Sequence, residues 1–180
     1  MNVCVFCGSS TGLDPAYANA ARETGRLLAT GNHTLVYGGG NIGLMGILAD
    51  QVLEGGGKVI GVIPDFLMSR EVGHSGLSEL IVVQSMHERK KRMADLADVF
   101  LALPGGWGTL DELAEILTWR QLGLIHQPVG LLNVDMFFTP LIEQMRAMSA
   151  KGFLHPSNLG YLAIEDSPSK LLTTLGVVPV

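Results

Sequence analysis

The stretch Phe100-Leu101-Ala102-Leu103-Pro104-Gly105-Gly106-Trp107-Gly108-Thr109-Leu110-Asp111-Glu112 decides the fold. Its first four residues are apolar without a break and make a short strand. Pro104 stops that strand, because proline has no N–H to give to a ladder. Two glycines then remove Cβ atoms from the turn, and a helix begins near Thr109, which is placed to cap it. At such a junction free backbone N–H groups and the helix dipole point toward an anion. Three glycines within four residues exceed what a turn alone needs. Gly105, Gly106, Trp107, Gly108 and Thr109 are therefore read as a phosphate-binding loop. Asp111 is a favourable carboxylate in a first helical turn. Glu112 stands three residues past Thr109, the spacing of a capping box. It is also within reach of whatever the loop binds, where it suits activation of water or the holding of sugar hydroxyls.

Outward from this junction the chain alternates strand and helix to its end. Short apolar runs recur at Val3 to Cys7, Thr34 to Tyr37, Val59 to Ile63, Leu80 to Val83, Val99 to Leu103, Val129 to Leu132 and, weakly, Gly160 to Ile164. Helical patterns lie between them. Asp14-Pro15 opens the first and Gly31 closes it, as N-cap, first-turn proline and terminal glycine. The others run from Gly43 to Leu53, Met86 to Ala97, Thr109 to Leu122, Phe137 to Ala150 and Ser167 to Leu175, and Met68 to Ser78 reads as a loop. Strands that are apolar throughout imply burial on both faces. Alternation with helices implies βαβ units. The prediction is a single doubly wound α/β domain over residues 1–180, with a mostly parallel sheet of about seven strands and helices on both faces. Ligands in such folds sit beyond the carboxyl ends of the strands. Three glycine-rich segments occupy such ends: Gly8-Ser9-Ser10, Gly38-Gly39-Gly40 and Pro104-Gly105-Gly106.

Gly38-x-Gly40-x-x-Gly43 matches a dinucleotide fingerprint, but it follows the second strand, and the next strand ends Val62-Ile63-Pro64 without the acidic residue that a ribose needs. The segment reads better as a tight turn or as the wall of a smaller nucleotide site. In the helix from Met86 to Leu96, spacings of three, four and three put Met86, Arg89, Met93 and Leu96 on one face. A guanidinium on an apolar face calls for an anionic partner, such as a bidentate phosphate or carboxylate. Lys91 and Arg92 read as solvated. Cys4 and Cys7 form a CxxC on a strand, where residues three apart point to opposite faces, so a buried structural role is expected. The five histidines have no metal-ligand spacing. A net charge of −5 argues against nucleic-acid and membrane-surface partners. Nothing is long and apolar enough to span a membrane, and the absence of an export signal points to the cytoplasm.

Together, Cys7-Gly8-Ser9-Ser10, Tyr37-Gly38-Gly39-Gly40-x-x-Gly43-Leu44-Met45-Gly46, Met86-His87-Glu88-Arg89-Lys90 and Pro104-Gly105-Gly106-Trp107-Gly108-Thr109-Leu110-Asp111-Glu112 resemble the LOG ("Lonely Guy") family. The similarity continues through Thr118-Trp119-x-Gln121-Leu122-Gly123 and covers nearly the whole chain. It implies a Rossmann-like fold and a phosphoribohydrolase that cleaves the N-glycosidic bond of cytokinin riboside 5′-monophosphates and, in some members, AMP. By the resemblance, Arg89 and Glu112 are catalytic. Gly8, Ser9, Gly39, Gly40, Glu71, Met86, Lys90, Gly105 to Thr109 and Thr118 bind the nucleoside monophosphate. No metal and no cofactor are implied, and a homodimer is. The older label of such proteins, lysine decarboxylase, finds no lysine here in a pyridoxal-phosphate context. A non-catalytic nucleotide or cofactor carrier is the alternative on the same fold.

Overall fold

A computed structural model describes residues 1–68 and 73–177. Seven strands, β1 (Asn2–Phe6), β2 (Thr34–Tyr37), β3 (Lys58–Pro64), β4 (Glu79–Val83), β5 (Val99–Ala102), β6 (Val129–Leu132) and β7 (Leu162–Glu165), form one sheet in the order β4-β3-β2-β1-β5-β6-β7. All six pairings between them are parallel. The connecting helices are α1 (Pro15–Thr30), α2 (Gly43–Glu54), α3 (Met86–Leu96), α4 (Trp107–Gln121), α5 (Thr139–Ala150) and α6 (Pro168–Thr174).

The all-apolar strands are explained by two cores. Side chains alternate across a strand. Accordingly Val3, Val5, Leu35, Tyr37 and Leu101 pack with α1, α2 and α6, whereas Cys4, Phe6, Val36, Phe100 and Ala102 pack with α3, α4 and α5. The cysteine pair divides in the same way: Cys7 is in the first core and Cys4 in the second, both buried and free. The expectations of burial and of opposite faces hold.

Local signals set the helix starts. The Asp14 carboxylate accepts the Ala16 N–H (2.8 Å) with Pro15 in the first turn. At the other end of α1, Gly31 keeps a negative φ, and the left-handed residue is Asn32. Gly31 is small for another reason: a Cβ there would lie 2.5 Å from the His33 ring. In α3, Ser85 Oγ accepts the Glu88 N–H (3.1 Å), and the Glu88 carboxylate accepts the Gln84 N–H (2.8 Å). Two expectations need correction. Helix α4 begins at Trp107 with Gly106 as its N-cap, so Thr109 lies inside the first turn and neither caps it nor forms a capping box with Glu112. The physical reason is that Gly106 accepts the unusual cap backbone, φ −100 and ψ −149, without a side chain. The last strand starts at Leu162, because Pro156 opens a short 3-10 turn through Tyr161 that absorbs Gly160.

After β1 the chain winds outward to β2, β3 and β4; α3 then carries it back to β5, and it winds the other way to β6 and β7. The reversal opens a crevice beyond the carboxyl ends of β1 and β5, where such folds bind ligands. The two loops that border it are tied together: Gly8 N–H donates to the Pro104 carbonyl (3.1 Å), and Leu103 N–H to the Phe6 carbonyl (2.9 Å).

Candidate active site

That crevice is a cleft whose walls come from β1 and its loop, the end of β2, α3 and the start of α4. Among its lining residues are Gly8, Ser9, Gly38, Met86, Arg89, Gly106, Trp107, Gly108, Thr109 and Glu112. The glycines of the loop divide into two kinds. A Cβ on Gly105 would fall 2.1 Å from Thr109 Oγ1 and 2.9 Å from the Gly8 nitrogen, so Gly105 is required by packing. A Cβ on Gly106 or Gly108 would meet nothing within 4 Å. These two leave open space above the first turn of α4, where the N–H groups of Trp107, Gly108 and Thr109 have no partner within the helix. An anion fits there without a side chain in its way.

Two buried charged groups lie beneath this loop. Arg89, on the core-facing side of α3, is 5% exposed, and Glu112, on the second turn of α4, is 9% exposed. Arg89 Nη2 donates to the Gly38 carbonyl (3.0 Å) and Nη1 lies 3.9 Å from Met86 Sδ. Gly38 must be glycine for this contact, since a Cβ there would stand 1.9 Å from Nη2. Both charges are felt by Cys7, at the floor of the cleft. Burial pushes the Cys7 thiol far above its ordinary range, Glu112 pushes it further, and Arg89 opposes both. A protonated, buried thiol is a poor nucleophile.

The structure thus gathers Gly8, Ser9, Met86, Arg89, Gly106, Trp107, Gly108, Thr109 and Glu112 of the sequence-derived set into one cleft. Gly105 supports the loop from behind. Gly39 and Gly40 are one step removed; the cleft is met by Gly38. Lys90 does not line it. Its amine reaches Asp111 (3.0 Å) and Glu115 (3.2 Å) and ties α3 to α4. Burial alone would lower the Lys90 pKa, but the hydrogen bonds that its amine donates to Asp111 and Glu115, with the attraction of their charges, outweigh it and hold the amine above the usual lysine value. Thr118 donates to the Ala114 carbonyl (2.7 Å) and faces a separate apolar groove between α4 and α5. Glu71 lies outside the described residues. Sequence reasoning missed Met45 and Leu67, which complete the wall. Both carry ordinary apolar side chains, and no local pattern distinguishes them from core.

Residues 45–175 match the family model described as "possible lysine decarboxylase". The chain is 46% identical over 173 residues to the cytokinin riboside 5′-monophosphate phosphoribohydrolase LOG1 of Arabidopsis thaliana, covering 96% of this chain and 81% of that protein. It is 49% identical over 154 residues to the enzyme of the same name, LOG7, also from Arabidopsis thaliana, covering 86% and 71%. Among solved structures, a molybdenum cofactor (Moco) carrier protein from Chlamydomonas reinhardtii superposes with a TM-score of 0.72 at 21% identity, covering 97% of this chain and 94% of that one. The molybdenum cofactor binding protein of Rippkaea orientalis gives 0.70 at 23% identity, covering 97% and 93%. At that identity these two share the fold alone. The relatives similar along nearly the whole chain are phosphoribohydrolases, and this protein belongs to their family, the LOG family.

Proposed function

We propose that this protein hydrolyses the N-glycosidic bond of N6-modified adenosine 5′-monophosphates, and of AMP, releasing the free base and ribose 5-phosphate. The observation that carries this reading is the presence of buried Arg89 and Glu112 in one cleft beneath the open first turn of α4. The 5′-phosphate docks on the amides of Trp107, Gly108 and Thr109, which orients the ribose over Glu112. As the C1′–N bond breaks, its electron pair leaves with the purine and the sugar becomes oxocarbenium-like. Glu112 offsets that positive charge and takes a proton from the water whose oxygen bonds to C1′, by analogy with glycosidase carboxylates. The proton ends on the departing base. Arg89 steadies the purine as it gains electron density. Trp107, 89% exposed at the rim, offers a flat surface on which the base or its N6 substituent packs. Gly8, Ser9 and Met86 close the walls, and Lys90 acts by holding α3 and α4 together. The whole chain, residues 1–180, works as one catalytic domain in the cytoplasm.

The reading as a carrier rests on structural likeness alone, and a carrier has no need of the Arg89–Glu112 combination. The decarboxylase label has no support in the described lining of the cleft, which contains no lysine. The deciding experiment is a chromatographic assay with N6-isopentenyladenosine monophosphate, the matching riboside, and AMP. Base is expected from the monophosphates and not from the riboside. Glu112→Gln should keep the melting temperature and nucleotide binding and lose turnover by roughly 10²–10⁴-fold. Normal cleavage by Glu112→Gln would remove that residue from the mechanism. A folded, nucleotide-binding protein that releases no base would favour the carrier.

A further inference from the structure

His74 is the one buried histidine among the described residues, 8% exposed, and nothing in the chemistry above uses it. It lies in the β3–β4 connection and is fastened at both ring nitrogens. The Gly76 backbone N–H donates to Nδ1 (3.1 Å), and Nε2 lies 2.9 Å from the Asp50 carboxylate. A backbone N–H can only donate, so Nδ1 carries no hydrogen and Nε2–H donates to Asp50. Asp50 belongs to α2, which is anchored in the core by Leu44, Leu48, Ala49 and Val52. The ring therefore bolts the connection to a rigid post.

The backbone of the same segment lies against the turn that ends β2. His74 N–H donates to the Gly39 carbonyl (3.0 Å), and Gly73 pairs with Gly40 in an antiparallel bridge. That turn is Gly38-Gly39-Gly40, with Gly39 at φ +78. Three glycines in a row have no side chains to hold them, and each has the widest backbone freedom of any residue. Their orientation must come from outside. Tyr37 Oη donates to the Gly40 carbonyl (3.1 Å) at one end, and His74 holds the middle. The carbonyl so oriented, that of Gly38, accepts Arg89 Nη2 (3.0 Å).

We infer that His74 is a positioning residue for Arg89, acting through the Gly38–Gly40 turn and braced by Asp50. It is not among the residues that line the cleft. The inference rests on the catalytic role proposed for Arg89, and it is tested by two readouts of which only one needs activity. His74→Ala is expected to lower kcat on the nucleoside monophosphate by on the order of 10- to 100-fold with little change in KM, as sub-ångström misplacement of a catalytic group does. It should also shift or broaden the Arg89 Nε–H resonance in a nitrogen-15 spectrum of the ligand-free protein. His74→Asn returns an acceptor where Nδ1 stood and should recover much of both signals. Leu171→Ala, on the buried face of α6, serves as a control for general loosening. If His74→Ala leaves kcat and the Arg89 resonance as in the parent, the inference falls. It also falls if Leu171→Ala, at equal loss of melting temperature, lowers kcat as much. A parent protein that cleaves nothing would sink the proposed function, while the Arg89 resonance would still decide the role of His74.

Discussion

Gly38 shows how one residue can be read two ways. In sequence it opens a motif that resembles a dinucleotide fingerprint. In the structure its missing Cβ makes room for the Arg89 guanidinium, and the third glycine of the motif, Gly43, is pressed against the Ser9–Ser10 backbone, where a Cβ would come within 2.2 Å. Gly38 does not have a positive φ, so alanine meets no backbone strain there. The added methyl would collide with the mobile end of Arg89 and displace it. Gly38→Ala is therefore expected to fold with a near-parental melting temperature and to lose on the order of 10²-fold in kcat. Unchanged turnover would mean that Arg89 does its work without the Gly38 carbonyl. At the same scale, Arg89 was legible as a charge on an apolar helix face because its partners on that face, Met86, Met93 and Leu96, follow helical spacing. Its partner carbonyl was not legible, since it lies 51 residues away in sequence.

Helices α3 and α4 hold the two charged groups of the site, and Lys90 is the clamp between them. The raised pKa of Lys90 has a direct consequence for stability. The folded state holds the Lys90 proton more tightly than the unfolded chain, so the contribution is complete below the ordinary lysine value of 10.5 and is lost as pH rises through the higher folded value. Lys90→Met should therefore be less stable than the parent at neutral pH, by about 0.5–1 kcal/mol for a partly covered ion pair. The gap should close in strongly alkaline solution. Urea unfolding of both proteins across that range checks it, and a gap independent of pH would mean that the lysine stem, not its charge, matters. Strand and helix limits were largely visible because apolar runs and Asp14-Pro15 mark them locally. The start of α4 was misplaced by two residues, because a glycine N-cap leaves no side-chain signature and Thr109 supplies a false one.

For the whole molecule, the family resemblance points to a homodimer, and one surface is suited to it. Between α4, α5 and β7 runs an apolar groove of about 460 Å³, lined by Leu117, Leu141, Met145, Leu154 and Ile164, with Thr118 on its edge. A groove lined by apolar side chains and open to solvent is a shape that a second copy can fill. The expectation is a dimer in light scattering at micromolar concentration. Leu117→Asp should give a monomer that keeps its far-ultraviolet circular dichroism. A dimer that survives this change would put the interface elsewhere.

The sequence by itself determined the strand–helix alternation, the doubly wound class and the glycine loop at 105–109. These are written in local spacing and in residue type, which short-range sterics and hydrogen bonding translate directly into strand, turn and helix. The pairing of Arg89 with Glu112 as the chemistry to look for came from the family resemblance. Only the tertiary structure decided the strand order that places β1 beside β5 and so opens the cleft between Gly8 and Gly106. It alone assigned Lys90 to a clamp and Thr118 to another face, and it alone brought His74 onto the glycine turn behind Arg89. These relations join residues far apart in the chain. They arise from how apolar faces pack across the sheet, and no local pattern encodes which distant carbonyl a buried guanidinium will meet.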